Sequence, residues 1–240
     1  MLEHNNLFYL LLSFLPALIF AIIVFISMPA YTIRWKVGSL FFAMGILSTF
    51  LVNAIHFSFP NWNKIESQNE FVAFFISAFI KIALLEEFCK LILFQTTEWY
   101  RNKFFYTDNP AAVMFYCMSV SCGFAVSENI LYAQQYGGDV LFIRTFTSVI
   151  VHMICGLMMG YFIGLKNIKT NNFISTIGNI NYKMIFLSIC GLAASTFYHG
   201  LYDFNIFING EAGNDKSIHI IIAGLLITFG MASKHFKKSV

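Results

Sequence analysis

Residues 83–94 read ALLEEFCKLILF, which sets Glu86, Glu87 and Lys90 inside a run that otherwise leaves water. At about 100° per residue on a helix, Lys90 lies roughly 40° from the line of Glu86 and 60° from that of Glu87. All three share one face, and the ammonium can neutralise either carboxylate. An ion pair explains Lys90 better than it explains two adjacent acids. Three later stretches carry residues of the same kind. CGFAVSENILYA holds Glu128 four residues after Phe124, with Asn129 beside it. HMICGLMMGYFIG places His152, Gly156, Gly160 and Gly164 at steps of four; small residues at that spacing suit close helix approach, which leaves the histidine unexplained. GLAASTFYHGLYDF steps Gly191, Ser195, His199 and Asp203 by four. Asp203, one turn after His199, can accept a hydrogen bond from one ring nitrogen and so fix which nitrogen faces a site.

Two carboxylates, two histidines and a lysine in a dry pocket supply a general base for water and donors for a developing oxyanion. The reaction class is hydrolysis of a carbonyl, such as a peptide bond. A metal version draws on the same residues: His152, His199 and Glu128 form a His₂Glu set for zinc with a second glutamate as base, although no HExxH is present. Ser127 and Ser195 lie near the acids and His199 in sequence, but a helical serine more often bonds its own backbone one turn back.

The elements that position these residues follow from composition. Of 240 residues, 58% are hydrophobic, 29 are Phe and 11% are charged, against about 25% charged in soluble domains; the mean hydropathy is +0.69. The solvent is lipid, and continuous apolar runs rather than alternating ones predict helices instead of barrel strands. Seven stretches reach the roughly 20 residues needed to span a bilayer: 7–28, 38–57, 71–95, 111–133, 140–165, 184–208 and 217–233. The connections are short, no internal repeat is visible, and 1–240 reads as a single membrane domain, an all-α polytopic bundle. The first stretch is too long, and too poor in basic residues before it, for a signal peptide, so it is expected to be retained.

Arg34, Lys36, Arg101, Lys103, Lys166, Lys169, Lys183, Lys234, Lys237 and Lys238 collect on one side, against Lys64, Lys216 and Arg144 on the other. That imbalance predicts an outside N-terminus and a cytoplasmic C-terminus. The net charge of +3 therefore reflects topology; no nucleic-acid partner is expected, and the C-terminal KHFKK reads as an anchor at the bilayer surface. All five cysteines fall within predicted spans without a CxxC pair, as small apolar residues do. The ionisable residues left inside spans are Lys81, Glu86, Glu87, Lys90, Glu128, His152, His199 and Asp203. Each is costly in lipid, by roughly 2.5–3.5 kcal/mol at the bilayer centre for the fully charged types.

The ordered set EEFCK at 86–90, FAVSEN at 124–129, HMICGLMMGYFIG at 152–164 and HGLYD at 199–203 resembles the PrsW family of intramembrane proteases, related to the CAAX-protease and bacteriocin-immunity superfamily. Glu128 and Lys90 stand where the CAAX branch has His and a more distant Arg, which places the resemblance on the PrsW side. It implies a polytopic membrane peptidase cutting a membrane-anchored protein such as an anti-sigma factor, or a hydrophobic peptide, and the Phe-, Ile- and Asn-rich composition fits a bacterial plasma membrane. By position, Glu86 and Glu87 are the essential acid pair, and Glu128, His152 and His199 complete the site. Lys90, Asn129 and Asp203 support it, and zinc or glutamate-activated water remain alternative ways to drive hydrolysis. Two other classes compete: a silent scaffold or immunity protein, which would not need the full polar set, and a proton-coupled transporter, which would be expected to show paired halves and broken helices.

Overall fold

The computed structural model describes residues 11, 14–16, 18, 19, 35–59, 69–102, 110–136, 138–165, 182–210 and 214–236. Among them every regular element is a helix: α1 (Trp35–Ser58), α2 (Glu70–Phe75), a π-helical stretch (Ile76–Leu84), α3 (Leu85–Asn102), α4 (Pro110–Tyr136), α5 (Gly138–Phe146), α6 (Ser148–Gly164), α7 (Tyr182–Asn209) and α8 (Asp215–Phe236). Local sequence sets the ends. Asn69 accepts from the backbone N–H groups of Phe71 and Val72 at the start of α2, and Asn214 from that of Ser217 at the start of α8, both as N-caps. Pro110 opens α4, where its missing N–H costs nothing. Gly210 closes α7 with φ +75°, a conformation that suits glycine.

Five helical runs are long and apolar enough to cross a membrane: Trp35–Ser58, Pro110–Tyr136, Val140–Gly164, Tyr182–Asn209 and Asp215–Ser233. They match the predicted spans to within a few residues. The third predicted span, 71–95, lies within the continuous run from α2 through the π-helical stretch into α3, which is not among the five. Lys81, Glu86, Glu87 and Lys90 occupy its middle. Most of the first, 7–28, lies outside the described residues.

Two departures from straight α-helix were not expected. The π-helical stretch just before Glu86 packs against α7, with the Phe79 ring lying against Gly200. The stretch read as one span at 140–165 turns at Thr147, whose backbone leaves the helical region at φ −120°, ψ −72°. Thr145 and Thr147 each donate to the carbonyl four residues back, Leu141 and Ile143, a bonding pattern that bends helices.

α4 is the axis of the bundle. Its residues from Ala111 to Val126 are all buried, and it packs most extensively on α6 and α1, while α6 also packs on α7. Lipid tails are as apolar as the side chains they replace, so packing here depends on close backbone approach at small residues. A Cβ on Gly45 of α1 would run into the Val120 carbonyl of α4, and one on Gly123 of α4 into the Phe42 carbonyl of α1. On α6, a Cβ at Gly156 would meet Met118 Cα at 2.7 Å. The glycine stripe read from the sequence thus faces α4. Gly123→Val should force α1 and α4 apart and cost about 1–3 kcal/mol, visible as a lower thermal unfolding midpoint in detergent. Gly230→Ala, at a position with open space around it, should leave the midpoint unchanged; equal midpoints for both variants would remove the crossing as a packing determinant.

Candidate active site

The polar residues of five helices meet at one place. Lys90, 1% exposed, is its hub. Its ammonium donates to Glu87 Oε1 at 2.7 Å and to His152 Nδ1 at 3.0 Å, stands 3.8 Å from Glu86 Oε2, and lies 3.9 Å over the ring of Phe124. An ammonium has only hydrogens to offer, so His152 Nδ1 accepts. The opposite nitrogen, Nε2, then carries the hydrogen and donates to Glu128 Oε2 at 3.0 Å. His199 packs edge-on to His152 with ring centroids 4.8 Å apart. Its Nδ1 faces Glu87 Oε1 at 3.1 Å and its Nε2 faces Asp203 Oδ2 at 3.3 Å.

Two arrangements differ from the sequence reading. Both ring nitrogens of His199 are engaged by carboxylates, so Asp203 does not leave the other nitrogen free. The carboxylate grouped with the two histidines is Glu86 rather than Glu128: Glu86, His152 and His199 each offer a ligand atom within 4.8 Å of the others. Glu86 Oε2 is buried and finds no hydrogen-bond partner among the described residues. Glu128 Oε2 is instead taken up by His152 and by the guanidinium of Arg144 at 2.8 Å.

Arg144 is the residue the sequence reading missed. Its place near a helix end suggested a surface charge, but it is 14% exposed in its side chain, stacks 3.7 Å over the ring of Tyr132, and donates through Nε to Asn129 Oδ1 at 3.1 Å. Its signal was present, since it sits inside an apolar run as costly to charge as the runs around the other interior residues. Of the remaining candidates, Ser127 and Ser195 donate to carbonyls of their own helices. Lys81 does not join the cluster; its Nζ is buried and unpartnered among the described residues.

A cavity of about 820 Å³ opens onto this cluster. Glu86, Glu128, Arg144, His152, His199 and Asp203 form its polar wall, and Ile82, Val140, Ile143, Ile206 and Phe207 its apolar one. The family model for PrsW family intramembrane metalloproteases matches residues 33–231. The chain belongs to the PrsW family. Over 140 residues, 58% of its length, this family member is 35% identical to Protease PrsW of Oceanobacillus iheyensis, covering 59% of that protein. Over 163 residues it is 28% identical to Protease PrsW of Shouchella clausii and 27% identical to that of Bacillus subtilis, covering 66% of each. The matched segments thus span 59–66% of the length of these relatives. No solved structure matches the chain. Within EEFCK, Glu86 and Glu87 are the residues that meet Lys90.

Lys90→Met should strand the fully buried Glu87 and destabilise the bundle by about 3–5 kcal/mol. Replacing both partners, Glu87→Gln with Lys90→Met, should recover much of that loss in thermal unfolding. A double variant as unstable as the sum of the two singles would show that the pair is not coupled.

Proposed function

We propose that this integral membrane protein is an intramembrane endopeptidase that hydrolyses a peptide bond of a membrane-anchored protein or hydrophobic peptide. One observation carries the proposal: three carboxylates and two histidines line a cavity inside a bundle of membrane-length helices. A scaffold needs no such wall, and the cavity is bounded by apolar side chains suited to a peptide from the bilayer. Seven spans with the N-terminus outside and the C-terminus cytoplasmic, in a bacterial plasma membrane, complete the reading. Substrates of the anti-sigma-factor type and kinship with the CAAX-protease superfamily follow from the sequence resemblance.

Glu86 is the acid best placed to handle water. It lines the cavity wall with Oε2 lacking a hydrogen bond among the described residues, whereas Glu87, whose Oε2 is likewise without one, is not on that wall and holds Lys90 and His199 through Oε1. Glu87 therefore anchors His199 and balances the Lys90 charge. The donor set also fits a divalent metal. Glu86, His152 and His199 each offer a ligand atom within 4.8 Å of the others, and a carboxylate with two imidazoles is a donor set of the kind that holds zinc. Glu86, His152 and His199 would hold a zinc ion if each imidazole exchanged one of its present contacts, to Lys90 or to a carboxylate, for the metal; the ion when bound would supply Lewis-acid polarisation of the carbonyl and of water. Glu128, held at Oε2 by Arg144 and His152, also lines the cavity. The proton lost by the attacking water passes to Glu86 or, where Glu86 serves as a ligand, to Glu128, and returns to the leaving amine. Asp203 and Glu87 keep the His199 ring in place.

Purified protein in liposomes with tagged single-span substrates should release cleaved product. Glu86→Gln and His199→Ala should each lower the rate by at least about 100-fold, the scale of general acid–base contributions. A chelator should abolish cleavage, and added zinc should restore it. Cleavage that survives both variants would place the chemistry elsewhere, and chelator resistance would leave Glu86 as a metal-free base. An uncleaved panel, bound equally by wild type and variants, would favour a silent scaffold.

A further inference from the structure

Arg144 lies on α5, outside every motif of the sequence resemblance, and its contacts converge on one helix. The guanidinium meets Glu128 Oε2 at 2.8 Å, Asn129 Oδ1 at 3.1 Å and the face of Tyr132 at 3.7 Å. All three partners lie on α4, and Glu128 and Tyr132 are one turn apart. The cradle fixes the plane of the guanidinium, which a lysine could not reproduce. The oxygen it holds, Glu128 Oε2, is the same atom that His152 Nε2 meets at 3.0 Å. The guanidinium 2.8 Å from that oxygen favours the carboxylate position in which it meets the imidazole.

We infer that Arg144 is a positioning residue for the reaction, acting through Glu128 to fix the His152 ring, with Asn129 and Tyr132 as its cradle. The inference rests on the protease reading for its kinetic consequence, though not for its structural one. Substrate docking by Arg144 is the competing role. Arg144 also lines the cavity, and its Nη2 is close to Glu128 Oε2 without making a hydrogen bond to it, so the KM readout separates the two roles; the three contacts on α4 favour positioning.

The test compares wild type with Arg144→Gln, Arg144→Lys, Glu128→Gln and the Arg144→Gln/Glu128→Gln double variant. Two readouts are used, cleavage kinetics and the ¹⁵N spectrum of labelled histidine in detergent, with the His152 signal assigned by its loss in His152→Gln. Thermal unfolding shows that each variant is folded. Arg144→Gln should lower kcat by about 10- to 100-fold, the scale of losing an orienting partner, with KM changed less than about threefold. Arg144→Lys should recover part of the rate, and the double variant should be no slower than Glu128→Gln, as expected of groups acting as a unit. Arg144→Gln and Glu128→Gln should displace the same His152 signal.

An unchanged kcat with an unmoved His152 signal overturns the inference and leaves the protease reading standing. So does a rise in KM alone, which marks substrate docking, or a double variant slowed by the product of the two single effects. If wild type cuts nothing but the His152 signal moves as expected, the orienting chain stands and the protease reading fails. If Arg144→Gln does not fold, Arg144→Lys carries the same comparison, and a Lys variant identical to wild type in rate and spectrum overturns the need for the fixed guanidinium.

Discussion

A buried ammonium must give its hydrogens to something, and the interior of this bundle is organised around that requirement. Lys90 belongs to α3, yet it hydrogen-bonds Glu87 on its own helix and His152 on α6, and lies over Phe124 on α4. Glu87, held by that lysine, reaches His199 on α7. Four helices are therefore fixed relative to one another by a single cation and the carboxylate it neutralises. Removing either partner leaves a charge without water or counter-charge, which costs far more than the pair contributes when intact. The network is best regarded as a specifier of geometry, because an apolar core of the same volume could be at least as stable.

Such a network can exist only where the surrounding helices approach closely enough for short side chains to meet. Gly45 and Gly123 bring α1 against α4, and Gly156 and Gly160 bring α6 against α4, so Glu128 and His152 come within a hydrogen bond across the α4–α6 seam. Gly191 brings α7 against Met159 of α6 in the same way, and His152 and His199 lie along that seam two turns away. The small-residue stripes and the polar residues share helices because the stripes supply the spacing that the polar contacts need.

Much of the site was legible in the sequence for one physical reason. Lipid penalises every ionisable side chain inside a span, so Glu86, Glu87, Lys90, Glu128, His152, His199 and Asp203 stood out against an apolar background without any structural knowledge. Helical spacing also indicated that Asp203 would reach His199 and that the glycines of α6 would face a neighbouring helix. Pair identity across helices was not legible, because periodicity orders residues around one axis and says nothing of the rotation of another. That is why Glu128 was grouped with both histidines, whereas Glu86 lies within reach of both and Glu128 meets His152. The π-helical stretch left no sequence mark: ISAFIKIAL differs little from the apolar α-helical runs beside it.

The turn at Thr147 explains why Arg144 escaped notice and why it can act at all. On an unbroken helix, Arg144 would stand eight residues before His152, roughly 80° around the axis and about 12 Å along it. Two side chains so separated would have little chance of gripping one carboxylate oxygen. The back-bonded threonines close α5, and α6 begins at Ser148 after the non-helical backbone of Thr147. The guanidinium and the imidazole then arrive at Glu128 Oε2 at 2.8 and 3.0 Å. The same departure makes Val140 and Ile143 of α5 part of the wall of the cavity that Ile206 and Phe207 of α7 also line. One local conflict between threonine side chains and helical backbone thus shapes both the space for a peptide and the orientation of the acid beside it.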